Sequence, residues 1–363
     1  MKRHASKMEM TIKILTPIVA VVLALCMGML LILILGQDVP RAVQDFLKGA
    51  LGGPVQIGDM LAKVAPLVFT ALAYAIASRC GLVNIGAEGQ FLLGGLASGL
   101  VAIYVQGLPM FIHLSLAIIV GFIAGGLWGF IAGWLKTSFG ANEVITTIML
   151  NYIALYLVRY LVGYDGPFND QSGNPQSIEF LETARFAKGF LISKSDLTFS
   201  IIIAILGLVF YYIFFFKMKR GYEMRVVGLN PTAAEYAGMK VKSNAMLSMF
   251  MAGGFGGLAG VCELLSVQSR ILPNFSSNYG FDGIAVALLG QLNPAGMGLA
   301  AVLFAILKNG GLAMGSKGTI SPYIVSVIQA FVIIFVIASG FLLAEYNKRR
   351  LIKSANSNKK KEK

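Results

Sequence analysis

Seven polar side chains sit where an oily chain tolerates them least: Asn84, Glu88, Gln90, Asn151, Asp282, Gln291 and Asn293. Each lies in or beside an apolar run, and a polar group inside a hydrocarbon layer is costly enough to mark a pathway. Five of them are amides, which donate and accept hydrogen bonds without carrying charge. That chemistry suits a neutral, hydrogen-bonding substrate better than an ion. Glu88 and Asp282 each follow a glycine-rich break, so a position at the membrane interface is equally open to them. Bond-breaking chemistry cannot be assembled. The chain lacks a G-x-x-x-x-G-K-[ST] phosphate loop and an H-E-x-x-H pair, and its only histidines are His4 and His113. Cys26, Cys80 and Cys262 match neither a metal site nor a disulfide framework, so they read as buried thiols. The expectation is a chain that is no enzyme and holds no metal or cofactor.

The elements that must position these groups are membrane helices. Of 363 residues, 56% are hydrophobic and 13% charged, which a soluble domain of this size cannot accommodate. Apolar runs of about 20 residues recur, each long enough to cross about 30 Å of hydrocarbon. They read as spans at 14–35, 61–78, 82–104, 112–135, 143–163, 198–216, 244–266, 280–292, 296–312 and 321–343. The fold class is therefore all-α integral membrane, a polytopic bundle of about ten transmembrane helices. Residues 14–35 follow a basic start but lack a small-residue cleavage site, so they read as a retained first span.

Charge placement sets the topology. Of 30 Lys and Arg, four lie in residues 1–13, six in 217–242 and eight in 348–363. Clusters beside apolar segments mark cytoplasmic ends and loops, not a nucleic-acid surface, despite the net charge of +13. Residues 164–197, with Asp165, Asp170, Glu179 and Glu182, suit the outside. Two cytoplasmic termini require an even number of crossings, which splits 280–312 at "LNPAG", where Pro294 breaks a helix. Lys308 and Lys317 then fall on the outer side; eight spans would follow if two short segments were re-entrant. The layout is a cytoplasmic N-terminus (1–13), a transmembrane domain (14–343) and a cytoplasmic tail (344–363) suited to anionic lipid. Within the domain, 164–197 is external and 217–243 cytoplasmic.

Other motifs have local explanations. Gly121, Gly125, Gly129 and Gly133 recur at four-residue spacing, as do the pairs Gly253 with Gly257 and Gly256 with Gly260. Such stripes let helix backbones approach closely, within one chain or at a moving subunit interface. Glu143, after Asn142, suits the first turn of a helix, and Arg159 reads as snorkelling. "NIGAEGQFLLGGL" (84–96) and "GIAVALLGQLNPAGMGL" (283–299) are a faint internal repeat of interrupted segments.

The stretch "RVVGLNPTAAEYAGMKV", 225–241, is different in kind. Asn230 is a good N-cap, Pro231 fits the first helical position, and Gly238 can end the helix in a left-handed conformation. A helix from Pro231 to Ala237 is far below the roughly 12–15 residues that hold together alone in water. It is expected to dock, with Ala233 and Ala237 on one face and Tyr236 as an anchor.

These residues resemble a known family. "GLNPTAAEYAGMKV", beginning at Gly228, is similar to the cytoplasmic coupling loop of permease subunits of ABC importers for simple sugars and nucleosides. "GLVNIGAEGQFLLGGLAS" (81–98) and "ANEVITTIMLNYIALYLV" (141–158) resemble the nucleoside branch. The resemblance extends over most of 60–340 and implies the importer permease fold in a multi-pass cell-membrane protein. It implies a cytoplasmic ABC ATPase docked at Gly228, Asn230, Pro231, Ala233, Ala234, Tyr236, Ala237 and Gly238. It further implies ATP bound on that partner, a second permease subunit in a heterodimer, a substrate-binding lipoprotein outside, and a nucleoside substrate. A simple sugar is the alternative substrate, and an ion-coupled secondary transporter the alternative mechanism.

Overall fold

The computed structural model describes residues 19, 21–316, 324, 326–335 and 338. The basic N-terminus, the tail from 344, and Lys317 lie outside the described residues. In chain order the helices are α1 (Val21–Ile34), α2 (Val39–Leu51), α3 (Pro54–Ala62), α4 (Val64–Arg79) and α5 (Ala87–Tyr104). They continue with α6 (Met110–Phe139), α7 (Glu143–Val162), α8 (Ser200–Lys217), α9 (Lys219–Leu229) and α10 (Pro231–Tyr236). The last four are α11 (Val241–Glu263), α12 (Tyr279–Leu289), α13 (Pro294–Ser316) and α14 (Ser326–Phe335). Among the described residues the one strand-like feature is an isolated bridge between Asn169 and Ser177.

The chain divides into two compact units, 1–49 with 310–363, and 50–309. In the first, Ile32, Ala42 and Met314 form a small core, with Val39, Phe46, Ile324 and Ile328 packed on it. Cys26 in α1 is exposed, unlike the buried Cys80 and Cys262. The expectation of three buried thiols fails there because α1 turns much of its apolar surface away from the chain.

In the second unit, α4 and α11 are the central helices. Along their most apolar windows 83% and 78% of residues are buried, against 28% in α6 and 22% in α7. A helix that is apolar on every side belongs inside, and α4 is one such helix. Small residues bring α11 against its neighbours. Gly253 and Gly257 meet Gly121, Gly125 and Gly129 of α6, while Gly256 and Gly260 face Gln90 and Gly95 of α5. Gly133 meets Met249. The stripes thus pack helices of one chain.

Six helical stretches among the described residues are long and apolar enough to cross a membrane: Pro54–Arg79, α6, α7, α8, Val241–Gln268 and α13. The expected span at 61–78 begins earlier, at Pro54, and bends at Lys63 where α3 meets α4. The expected span at 82–104 is helical only from Ala87. α12, with 11 residues, extends about 16 Å at 1.5 Å per residue, half of a hydrocarbon core. The break at "LNPAG" is real: Gln291 and Leu292 take positive φ of 53° and 55°, and α13 starts at Pro294. Asn142 caps α7, accepting from the amides of Val144 and Ile145, and Glu143 in its first turn pairs with Lys136 at 2.8 Å.

Candidate functional site

Local chemistry shapes α10 closely. Asn230 is extended (φ −156°, ψ 99°), and its Oδ1 accepts from the Ala233 amide at 3.0 Å. Gly238 follows with φ +76°, and the Met239 amide returns to the Ala234 carbonyl at 3.0 Å. The helix stops at Tyr236, one residue short of expectation. Tyr236 is 91% exposed and Leu229 87%, while Ala233 and Ala237 are also exposed. Ala234 corrects the expected docking set: it is fully buried. One residue along a helix turns the side chain by about 100°, so Ala234 faces its own chain while Ala233 faces out.

The base of this loop is keyed to the turn before α5. Gly228 packs backbone on backbone against that turn; a methyl there would stand 2.5 Å from the Arg79 carbonyl and 2.8 Å from the Gly81 amide. Beyond Gly81, three of the candidate amides hold the turn in shape. Asn84 and Gln90 bond reciprocally, Nδ2 to Oε1 at 3.0 Å and Nε2 to Oδ1 at 3.1 Å. Asn84 Oδ1 also accepts from the Gly86 amide at 3.0 Å. Asn151 of α7 accepts from the Gly89 amide at 2.8 Å and donates to the Ile85 carbonyl at 2.9 Å. Without these side chains, backbone groups of 85–89 would be unpaired in an apolar surrounding.

Gln291 and Asn293 are not inside the bundle. Both are exposed on the α12–α13 turn, because α12 ends at Leu289. Asn293 Oδ1 accepts from the Ala295 amide at 3.0 Å, a capping role. The turn is tied to α4 and α8, since the Leu292 carbonyl accepts from Arg79 Nη2 at 2.9 Å and Tyr211 Oη at 3.1 Å.

Glu88 and Asp282 lie at a buried ionic centre. Glu88 accepts from Ser276 Oγ and from the Gly280 amide at 2.9 Å, joining the starts of α5 and α12. Asp282 pairs with Lys308 Nζ at 2.6 Å, and that ammonium also donates to the Ser277 carbonyl at 2.8 Å and lies 4.2 Å from the Tyr279 ring centre. Lys308 is therefore a half-buried helix residue paired inside the protein. Lys63 and Glu263 join the same centre, each the other's electrostatic neighbour. Sequence reasoning passed over Lys63 and Glu263, and took Lys308 only as a charge on the outer side. The available signal was the rule already applied to Glu88, that a charge inside an apolar run is a candidate.

Beyond the end of α11, the connection 164–199 is bonded in place. Amides of Ser177, Phe180 and Phe186 donate to the carbonyls of Ile271, Ser269 and Leu265, each at 3.0 Å. Arg270 binds Asp170 at 2.9 Å. Hydrogen bonds from Ser172 chiefly, then from Gln176 with the Arg270 charge, hold the Asp170 carboxyl below its usual range.

A family model described as "Branched-chain amino acid transport system / permease component" matches residues 56–337. The chain is 39% identical over 330 residues to the guanosine ABC transporter permease protein NupP of Bacillus subtilis (strain 168), covering 90% of this chain and 93% of that one. It is 37% identical over 357 residues to the nucleoside ABC transporter permease protein NupB of Lactococcus lactis subsp. cremoris (strain MG1363), covering 97% and 98%. The glucose ABC transporter permease protein TsgB13 of Haloferax volcanii is 33% identical over 335 residues, covering 90% and 87%. These matches bear out the resemblance that three short segments carried.

Proposed function

Because the chain belongs to the family described as the permease component of the branched-chain amino acid transport system, we propose that it is the membrane-spanning subunit of an ATP-driven ABC importer that carries nucleosides into the cell. The observation that carries this reading is the 37–39% identity, over nearly the whole chain, to permeases of guanosine and nucleoside importers. The exposed α10 supports the mechanism. A six-residue helix with Tyr236 turned outward, beside the exposed Leu229 that ends α9, is a surface for a cytoplasmic ATPase. In this reading ATP is bound and hydrolysed on that partner, and the permease chain has no cofactor of its own. Closure of the ATPase pulls α10, and α9 transmits the pull through Gly228 to the turn at Gly81. The bundle then exposes its pathway alternately to the two sides.

The assembly includes a second permease subunit, forming a heterodimer, and a substrate-binding lipoprotein on the outer side. The chain crosses the membrane about ten times, with α5 and α12 as its short interrupted segments. Both termini and 217–243 are cytoplasmic, and 164–197 is external. Within the pathway we place Glu88 and Asp282 among the lining groups. Asn84, Gln90 and Asn151 shape the turn that presents Glu88, and Gln291 and Asn293 form its exposed cytoplasmic end. Simple sugars are the second reading, favoured by the similarity to a glucose permease. Uptake of radiolabelled nucleosides and pentoses, in cells with and without this subunit, tests the reading. Nucleoside uptake should disappear with the subunit and pentose uptake persist; the reverse would transfer the assignment to sugars.

A further inference from the structure

α11 ends unlike any other helix among the described residues. Its regular winding stops at Glu263 and continues as one π-helical turn, Leu264–Gln268, closed by Ser269 in the left-handed region at φ 58°. π turns widen a helix by one residue and occur frequently at functional sites. This one turns two side chains toward each other. Gln268 Nε2 donates to Glu263 Oε1 at 3.1 Å and to the Phe275 carbonyl at 3.0 Å. Both donor hydrogens of the amide are thereby used, which leaves Gln268 Oε1 and Glu263 Oε2 as buried acceptors with no partner among the described residues. Glu263 is only 6% exposed. An unpaired acceptor at such depth is expensive, and more so when it belongs to a carboxylate. Lys63 and Lys308 are electrostatic neighbours of Glu263, but neither ammonium is bonded to it: Lys63 Nζ donates to the Asp59 carbonyl and Lys308 Nζ to Asp282.

Two acceptors lacking donors, on side chains bonded to each other, call for a ligand that donates to both, such as a pair of hydroxyls. We infer that Glu263 Oε2 and Gln268 Oε1 form a subsite that accepts hydrogen bonds from the vicinal diol of a ribose-type sugar. An acidic side chain paired with ribose hydroxyls is also how dinucleotide-binding folds hold that sugar. The inference rests on the nucleoside reading and deepens it, because it assigns ribose selectivity to the membrane chain itself. A site built to hydrogen-bond a hydroxyl rejects an analogue lacking it, since its buried polar groups then stay unpaired.

Uptake of uridine and 2′-deoxyuridine by cells carrying the complete importer, wild type or with Glu263→Gln or Gln268→Met, tests this. Binding of both nucleosides to the permease–ATPase complex in nanodiscs, without the substrate-binding protein, isolates the membrane chain's share. The variants should lose about tenfold for uridine, as for a hydrogen bond to a charged group. Losses for 2′-deoxyuridine should stay within about twofold, because that ligand never makes the paired contact. Unchanged uridine handling in both variants would overturn the inference. Equal losses for the two nucleosides would overturn it as well, reducing Glu263 and Gln268 to supports of the fold. If wild-type cells import no nucleoside at all, the proposed function falls and the subsite falls with it. A wild type that imports nucleosides with a ratio unmoved by either variant removes the subsite alone.

Discussion

α10 and α11 use the same small residues to opposite ends. In α11 the glycines are buried against α5 and α6, with no room for another carbon. In α10 only Ala234 is buried, while Ala233 and Ala237 look outward beside Tyr236 and Leu229. A small residue gives close approach, and its surroundings decide what approaches. Inside lipid there is little hydrophobic force between helices, so close backbone contact supplies cohesion within the chain. Beside water, an uncovered helix of six residues lacks that cohesion, and the proposed function supplies a partner for it.

Breaking the α11 side should have the largest effect. A Cβ on Gly125 would stand 2.5 Å from the Gly253 carbonyl and 2.7 Å from Gly257 Cα, and backbone cannot swing aside as a side chain can. Gly125→Val is expected to cost about 3 kcal/mol or more, at the upper end for overpacking. Detergent-solubilised protein should then show no monodisperse peak in size-exclusion chromatography. A normal peak would show that α6 and α11 can separate at little cost.

Asn151→Leu comes next. It removes both partners of the 85–89 backbone and is expected to cost about 1–3 kcal/mol for each group left unpaired. Thermal unfolding should shift downward, and uptake should fall in parallel with the amount of folded protein. Uptake lost at full stability would instead make Asn151 a substrate contact.

On the α10 side, Tyr236→Ala should leave the unfolding temperature unchanged because the ring contacts solvent. It should weaken ATPase co-purification, with about 2 kcal/mol lost if the ring is an interface anchor. Retained co-purification and coupled hydrolysis would make α10 a mere connector. Ala234→Arg is the contrasting variant: it should destabilise the chain itself, since Ala234 is buried in its own unit.

The smallest effect belongs to the connection 164–199. The Asp170 carboxyl is held below its usual range, so its contribution is present at neutral pH, above the unfolded value, and is lost as pH falls through the depressed folded value. Hydrogen exchange near Ser172 and Arg270 should rise only on acidification below the ordinary aspartate range. Asp170→Asn should raise it at every pH. Exchange that is unaffected by both would mean the backbone bonds to 265–271 hold the connection unaided.

What the amino-acid order determined by itself was local. Composition and run length specify a helical membrane protein, because the cost of unpaired backbone in hydrocarbon leaves few alternatives. Asn230, Pro231 and Gly238 specify a capped helix, and Asn142 another, since a cap bonds within three residues of itself. Pro294 located the break before α13 for the same reason. The sites were another matter. The carboxylate of Glu88 meets an amide 192 residues away, and Lys308 meets Asp282 across 26. No periodicity or spacing encodes such pairs, so Lys308 read as an outer charge and the amides at 84, 90 and 151 as a lining. Only the tertiary structure decided that the amides are satisfied within the protein while Glu263 Oε2 and Gln268 Oε1 have no partner among the described residues. Whether a buried polar group has a partner depends on what the rest of the chain folds against it.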